Sequence, residues 1–382
     1  MSQISQQFPP NSQYPLLPGV RSRFVQTSRL RVHVYESGDP SSPCLVLIHG
    51  NAASARFFEE LMTKLPNLYI VAPDLRGYGA SEAKPADATK GLRDYSDDVA
   101  ATLEALGIRR HHLLGWSLGG NIAMQYTIDH PNAVKSLLLE STGSPFGYGG
   151  THGENGQPNF PDFSGSGGGL IAKDVIDCYI AKDSSADSMF APRSVMRSTY
   201  VNAATYTFNP QREDVYVEQM LMMVIGEQFY PGDGVPSANW PMSAPGKWGS
   251  NNALSPKYCN VTALETIAPK PEIVWIHGAN DLVVSDTAAV DPCFLGKLGV
   301  IPGWPGDDLC PPQPMLSQIR AMLQRYAANG GVFSEVVFEN CGHSPHIEQE
   351  NAFIQRLQTL VAAQESADPQ RKGIFDIFRR KR

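Results

Sequence analysis

The 382-residue sequence has no apolar run long enough to span a membrane. Its longest apolar runs, residues 44–48 and 136–139 with their neighbours, fall far short of the roughly 18 residues that a spanning helix requires. Residues 1–18 are polar and rich in proline, without the basic start and apolar stretch of a secretory signal. We therefore expect no transmembrane segment, no secretory signal and a cytoplasmic location.

Basic clusters and cysteines are also scarce. The 31 Lys and Arg residues stand against 38 Asp and Glu residues, and no long basic block occurs in the body of the chain, which excludes a nucleic-acid partner. The six cysteines show no C-x-x-C or histidine-rich spacing, so we predict no metal site and no cofactor. Cys293 and Cys310 bracket a loop rich in proline and glycine. We expect free buried thiols, with a bridge between these two cysteines as the alternative.

Hydrophobic residues make up 42% of the chain and charged residues 18%, which is the balance of a globular protein. From residue 31, short apolar runs alternate with longer helical patterns, as in a parallel sheet with crossover helices. We predict strands at 31–37, 45–48, 69–72, 112–115, 136–139, 273–276 and 336–338, and helices at 55–65, 95–106, 119–130, 314–328 and 348–363. The sequence thus predicts an α/β fold.

The alternation is interrupted between about residues 143 and 268, so this stretch is predicted to be an insert. Glycine-dense residues 147–169 open the insert, and helical patterns follow at 170–181 and 213–229. The second helix carries a methionine-rich set that makes it apolar on nearly all sides: Tyr216, Met220, Met222, Met223, Val224 and Phe229. Such a helix is either wholly buried or has one side on a pocket.

A smaller insert, rich in proline and glycine, is expected at residues 286–312. The last stretch, residues 366–382, ends in four basic residues after the apolar positions of 374–378. We expect a solvated tail, with weak contact to an anionic membrane surface as the alternative.

The segment Gly115-Trp116-Ser117-Leu118-Gly119 follows a predicted strand and opens a predicted helix, which is the context of a G-x-S-x-G nucleophile elbow. Glycine is needed at both ends because side chains there would collide with the neighbouring strand and helix. An ordinary glycine-rich turn is the alternative.

Three further segments supply partners for a serine nucleophile. The turn His49-Gly50-Asn51 ends an earlier strand, and the N–H groups of Asn51 and Leu118 can face one carbonyl oxygen as an oxyanion hole. Past the last two strands, His343 would take the Ser117 proton, and Asp281 would fix the tautomer of that histidine. Asp286 and Glu140 stay open as alternative acids.

Together these motifs resemble the α/β-hydrolase superfamily. The chain order Ser117, Asp281, His343 is the order of that family, and residues 74–81 resemble its loop after the fourth strand. The resemblance covers about residues 20–363 apart from the two inserts.

The resemblance implies a mostly parallel eight-stranded sheet flanked by helices, with a mainly helical cap inserted after the sixth strand. The hydrolase core would comprise residues 20–143 and 266–365, the cap residues 144–265 and the basic tail residues 366–382.

The implied activity is cofactor-independent serine hydrolysis of an ester or related acyl bond in a small, largely apolar substrate, through an acyl-enzyme. Serine in place of aspartate disfavours the dehalogenase and epoxide-hydrolase reactions. A cofactor-free perhydrolase or dioxygenase, and a non-catalytic small-molecule receptor, are the alternatives on the same fold.

We predict that Trp116, Gly50 and Met223 line the substrate pocket, with core packing as the alternative for Trp116 and Met223. Remaining candidates have structural interpretations. His346 is expected at the surface or beside the base, His49 and His277 as packing and hydrogen-bonding groups, and Cys341 as a buried inert thiol.

Overall fold

The computed structural model describes residues 7–367, so almost all of the predicted tail, residues 368–382, lies outside the described residues. Eight strands form one sheet: β1 (Val20–Gln26), β2 (Arg31–Ser37), β3 (Cys44–Ile48), β4 (Tyr69–Pro73), β5 (His111–Trp116), β6 (Val134–Glu140), β7 (Glu272–Gly278) and β8 (Phe333–Phe338). Their order in the sheet is β1-β2-β4-β3-β5-β6-β7-β8. Within this sheet, only the pairs β1–β2 and β2–β4 are antiparallel. The predicted α/β fold with a mostly parallel sheet is confirmed.

The central strands are apolar because helices and loops cover both of their faces. Every residue of β4 and β5 is buried, and so are the four residues of β3 after Cys44. Strands that are buried on both sides cannot alternate apolar and polar residues, which is why a continuous apolar run predicted them. One hydrophobic cluster joins these strands to the surrounding helices.

The α-helices are α1 (Glu59–Thr63), α2 (Arg93–Ala105), α3 (Leu118–Asp129), α4 (Lys173–Ile180), α5 (Pro192–Val195), α6 (Pro210–Leu221), α7 (Ser250–Ala253), α8 (Pro292–Lys297), α9 (Met315–Ala328), α10 (Pro345–Glu348) and α11 (Glu350–Ala367). Short 3-10 or π turns cover Ala55–Phe58, Ala88–Lys90, Gly168–Leu170, Met196–Tyr200 and Thr262–Thr266. Helix α3 lies against β5 and α2, and α11 lies against β6. Each helix predicted outside the inserts is present within a few residues of its expected bounds.

Residues 144–265 lie between β6 and β7 and contain α4 to α7. They also contain three two-stranded ribbons: Thr151–His152 with Gln157–Pro158, Ile225–Gly226 with Tyr230–Pro231, and Gly234–Pro236 with Ser243–Pro245. The insert therefore combines short helices, ribbons and long loops.

The predicted helix at 213–229 is wrong in extent, because α6 ends at Leu221. Past that point the N–H of Val224 donates to the carbonyl of Gly77, and the N–H of Tyr230 donates to the carbonyl of Val224. These tertiary backbone hydrogen bonds replace the helical ones. Met223 therefore lies beyond the helix, where it is buried in the core.

The smaller insert holds a disulfide between Cys293 and Cys310, so the expectation of free thiols is wrong for this pair. The buried carboxylate of Asp291 accepts hydrogen bonds from the N–H groups of Cys293 and Gln313, which draws the two ends of the insert together. The other cysteines are free, as expected: Cys44, Cys178, Cys259 and Cys341.

Within residues 7–367, no helix combines the length and the hydropathy needed to cross a bilayer. The cytoplasmic location stays a prediction.

Candidate active site

Ser117 occupies the tight turn between β5 and α3. Its backbone has φ 55° and ψ −124°, a conformation that non-glycine residues rarely adopt. The N–H of Ser117 donates to the carbonyl of Glu140, and the carbonyl of Ser117 accepts from the N–H of Gly120. These hydrogen bonds to β6 and α3 hold the strained residue in place.

The two flanking glycines are sterically required. A Cβ atom on Gly115 would lie 2.2 Å from the carbonyl oxygen of Gly119, and one on Gly119 would lie 2.1 Å from that of Ile48 in β3. Both contacts are with backbone atoms, which could move aside only if the strand or the helix shifted. The G-x-S-x-G pattern is therefore explained by the close approach of β3, β5 and α3.

His343, after β8, lies beside Asp281, after β7. Nδ1 of His343 is 2.8 Å from Oδ2 of Asp281, and both residues are buried. The other carboxylate oxygen of Asp281 accepts the N–H groups of Val283 and Val284 at 2.7 and 2.9 Å. The indole N–H of Trp116 donates to the carbonyl of His343 at 2.9 Å, which ties the histidine loop to the residue before Ser117.

Neither alternative acid lies against His343. The carboxylate of Glu140 contacts His346, with 2.7 Å between Oε1 and Nδ1, and also accepts the backbone N–H of that histidine. Asp286 accepts the hydroxyl and N–H of Ser317. His346 is buried, so it does not lie at the surface.

The turn after β3 is braced by side chains around Asn51. The carbonyl of Asn51 accepts the hydroxyl of Tyr200 at 2.9 Å, and its amide oxygen accepts the hydroxyl of Tyr78 at 2.5 Å. Its amide nitrogen donates to Asn251 at 2.7 Å. Leu118 begins α3, and the first N–H groups of a helix have no helical acceptor. The structure thus holds Asn51 rigidly and leaves helical N–H groups beside Ser117.

The histidines expected to be structural have structural partners. Nε2 of His49 accepts the N–H of Leu75, and its Nδ1 lies 2.8 Å from the carbonyl oxygen of Gly50. Burial lowers the pKa of His49, so this histidine is held neutral. Nε2 of His277 lies 3.0 Å from Glu335. Cys341 is buried, and burial raises the pKa of its thiol far above the usual range, which makes it a poor nucleophile.

A cavity of about 270 Å³ opens beside Ser117, Asn51 and Leu118. Residues of the large insert and of the stretch after β7 supply most of its wall, and many are apolar, including Leu170, Ile171, Val175, Val195, Leu254 and Leu295. Among the described residues, those that line it include no Asp, Glu, Lys, Arg or His. The space next to Ser117 therefore suits an uncharged, largely apolar group.

The predicted pocket residues Trp116, Gly50 and Met223 are not in this wall, and that prediction is corrected. Trp116 is 1% exposed and packs against Phe57 in the core. Gly50 lies against Ser117, since a Cβ atom there would be 3.1 Å from the serine Cβ. His343 is also absent from the wall.

Reasoning from the sequence missed four tyrosines of the cavity wall: Tyr148, Tyr179, Tyr200 and Tyr230. They come from a loop, short helical segments and a ribbon of the large insert, and no periodicity in the sequence predicts the path of these segments. The only local signal is that Tyr148 and Tyr230 adjoin Gly and Pro.

No group of three His, Cys, Asp or Glu residues within residues 7–367 is arranged to bind a metal ion. A larger, open groove of about 800 Å³ lies where β3 and β4 begin, lined by residues such as Arg23, Tyr69 and Arg109. It contains none of the predicted site residues.

Comparison with known proteins gives a family match over most of the chain. A model of the alpha/beta hydrolase family matches residues 45–356. Fluoroacetate dehalogenase from Burkholderia sp. is 31% identical over 128 residues, which are 32% of this chain and 41% of that protein. 2-Hydroxymuconate semialdehyde hydrolase from Pseudomonas sp. is 32% identical over 121 residues, 31% of this chain and 42% of that protein. The matched stretch thus spans about two fifths of the length of these curated relatives.

Solved structures resemble nearly the whole chain. A putative aryl esterase from Burkholderia cenocepacia has a TM-score of 0.56 at 16% identity, covering 91% of this chain and 100% of that one. A membrane phospholipase A has a TM-score of 0.56 at 20% identity, covering 91% and 87%. At these identities the likeness concerns the fold alone.

Proposed function

The chain belongs to the alpha/beta hydrolase family, and on that premise we propose that it is a serine hydrolase that cleaves an ester or related acyl bond of a small, largely apolar substrate. The observation that carries the proposal is the buried contact between His343 and Asp281, at the same end of the sheet as the strained Ser117. A serine hydroxyl is a weak nucleophile, and an oriented histidine is what activates it.

In the proposed reaction, the Ser117 oxygen attacks the carbonyl carbon while His343 takes the hydroxyl proton. Asp281 supports the imidazolium that forms. The alcohol leaves with that proton, which produces an acyl-enzyme ester on Ser117. Water, deprotonated by the same histidine, then attacks this ester and releases the acid.

The negative charge that develops on the carbonyl oxygen needs donors that are already in place. We assign this role to the backbone N–H groups of Asn51 and Leu118, which flank Ser117 in the cavity wall. The hydrogen bonds of the Asn51 side chain and carbonyl support this assignment, because they fix the turn before substrate arrives.

Residues 144–265 are proposed to act as the cap that limits substrate size. They contribute Leu170, Val175 and Leu254 to the wall of the cavity, whose volume of about 270 Å³ suits a small acyl group. A polymeric ester would have to displace this segment to reach Ser117.

The similarity to a dehalogenase does not extend to its reaction. Halide displacement by a carboxylate gives an ester, which water can cleave at the carbonyl. Displacement by Ser117 would give an ether, which has no carbonyl for water to attack. The serine therefore favours acyl transfer.

Labelling with a fluorophosphonate tests the proposal, because this reagent reacts with activated serines. We expect one label per chain on Ser117, with loss of p-nitrophenyl ester turnover in proportion to labelling. Ser117→Ala should remove the label, whereas Ser166→Ala, which deletes another hydroxyl from the same cavity, should keep it. Binding of esters with neither label nor turnover would indicate a receptor.

A further inference from the structure

Two tyrosine hydroxyls in the cavity have no hydrogen-bond partner within the described chain. Tyr179 and Tyr230 are buried residues of the wall, with ring centroids 6.1 Å apart. Their hydroxyl oxygens make no hydrogen bond to any of residues 7–367. Each oxygen is nevertheless accessible to a space large enough for a water molecule. Because both residues are buried and line the cavity, we infer that the cavity is the space that the two oxygens face.

Apart from Ser117, the other hydroxyls of the same wall have protein partners. The hydroxyl of Tyr148 donates to the carbonyl of Val283 at 3.0 Å, and that of Tyr200 donates to Asn51. Ser166 donates to the carbonyl of Phe163. Asn251 uses its amide oxygen on Asn51, beside Ser117. Apart from the Ser117 hydroxyl and the amide nitrogen of Asn251, the hydroxyls of Tyr179 and Tyr230 are therefore the side-chain donors of the wall that have no protein partner among residues 7–367.

A hydroxyl that faces the cavity without a protein partner can donate to a ligand, so a ligand that supplies an acceptor oxygen there gains a hydrogen bond. Burial raises the pKa of Tyr230 to about 12 and raises that of Tyr179 well above its usual range. Both phenols are therefore neutral donors at physiological pH. Since no charged residue lines the cavity, it offers no cation to a carboxylate.

We propose that Tyr179 and Tyr230 bind a neutral oxygen of the substrate, so that the preferred ester carries an uncharged oxo group in an otherwise apolar chain and no second carboxylate. This inference rests on the proposed ester hydrolysis at Ser117. It narrows the substrate class from apolar esters to oxygenated ones.

The test compares matched esters that differ only in one oxo group. p-Nitrophenyl 4-oxopentanoate, 5-oxohexanoate and 6-oxoheptanoate are each paired with the plain ester of equal chain length. One of the oxo esters should exceed its plain partner in kcat/KM by about 3- to 10-fold, the effect of one or two neutral hydrogen bonds. An ester that ends in a carboxylate should be at least about 100-fold poorer, because the charge would be desolvated without a partner.

Tyrosine variants test which hydroxyls cause the preference for the oxo ester. The double variant Tyr179→Phe/Tyr230→Phe should bring the ratio of oxo to plain ester to about one. Tyr148→Phe is the matched control, because it removes a hydroxyl of the same wall that already has a protein partner, and it should keep the ratio. Fluorophosphonate labelling of each variant verifies that its site is folded.

A binding measurement keeps the inference separate from the proposed reaction. The affinities of Ser117→Ala for methyl 5-oxohexanoate and methyl hexanoate should differ in the same direction, even if the wild-type protein hydrolyses neither. Equal affinities and equal rates for every pair, or a preference that survives in the double tyrosine variant, would overturn the oxo-group site. Absence of both labelling and turnover, with the binding preference intact, would overturn only the proposed hydrolysis.

Discussion

Oδ2 of Asp281 lies 2.8 Å from Nδ1 of His343, while Oδ1 of the same carboxylate accepts two backbone N–H groups. One oxygen thus fixes the carboxylate to its own loop, and the other faces the imidazole. A carboxylate held in this way orients the histidine and keeps its opposite nitrogen available for a proton from serine.

Replacing Asp281 with Asn should lower turnover by roughly 10⁴-fold, because the amide can stabilise the wrong tautomer of His343. Steady-state kinetics with a p-nitrophenyl ester measure the loss, and thermal unfolding monitors the fold. Asp286→Asn serves as the matched control, since this carboxylate binds Ser317 and should affect turnover little. A near wild-type rate in Asp281→Asn, with collapse in Glu140→Gln, would transfer the role to Glu140.

Specificity should depend on acyl length in a way that the cavity wall sets. Each methylene that fits adds about 0.8 kcal/mol of burial, so kcat/KM should rise by about fourfold per methylene and then fall sharply. Leu295→Ala shortens a side chain of the wall and enlarges the cavity, so it should move the optimal acyl length to longer chains. Leu298→Ala, at an exposed position on the same insert, should leave the optimum in place. A flat profile across acyl lengths would contradict a closed cavity.

The disulfide should stabilise the wall that follows β7. Leu295 and Ile301 lie between Cys293 and Cys310 in sequence and line the cavity. Replacing both cysteines with serine should reduce the free energy of unfolding by about 3 kcal/mol, as expected for a loop of this length, and should weaken the discrimination between acyl lengths. Denaturant titration measures the first effect, and Cys178→Ser is the control without a bridge. Unchanged stability in the double variant would show that the bridge is not formed.

Asp291 should make stability depend on pH. Burial raises the pKa of this carboxyl to about 6 in the folded chain, above the value of about 3.9 expected when unfolded. The folded state therefore binds the proton more tightly, and stability is lost as pH rises from 4 through 6. Between pH 4 and 8, wild type should lose on the order of 2 to 3 kcal/mol relative to Asp291→Asn. A pH-independent difference between the two in denaturant titrations would contradict this assignment.

Much of the fold could be predicted because its central strands are apolar throughout and its turns carry Gly and Asp. The edge strand β1 was missed, since its Arg21 and Arg23 contact Glu36 on β2 and break the apolar pattern. The start of α6 had an overlooked signal, Asn209 as N-cap with Pro210 following it. Its end had none, because a tertiary hydrogen bond from Val224 terminates it.

The candidate site likewise has a part that local sequence patterns predict and a part that depends on tertiary contacts. Ser117, Asp281 and His343 each follow a strand, so sequence position alone brings them to one end of a parallel sheet. The cavity wall depends on how the two inserts fold back, and Tyr179 and Tyr230 reach it through contacts distant in sequence. Local sequence patterns therefore predict the reacting groups but not the substrate on which these groups act.

The most direct test of the central claim is peptide mass spectrometry after rapid mixing of the protein with p-nitrophenyl hexanoate and acid quenching. The proposed mechanism predicts one hexanoyl group on the peptide that contains Ser117, formed together with a burst of p-nitrophenol and lost as hydrolysis proceeds. Ester turnover with the acyl group on another residue, or with full activity in Ser117→Ala, would contradict it.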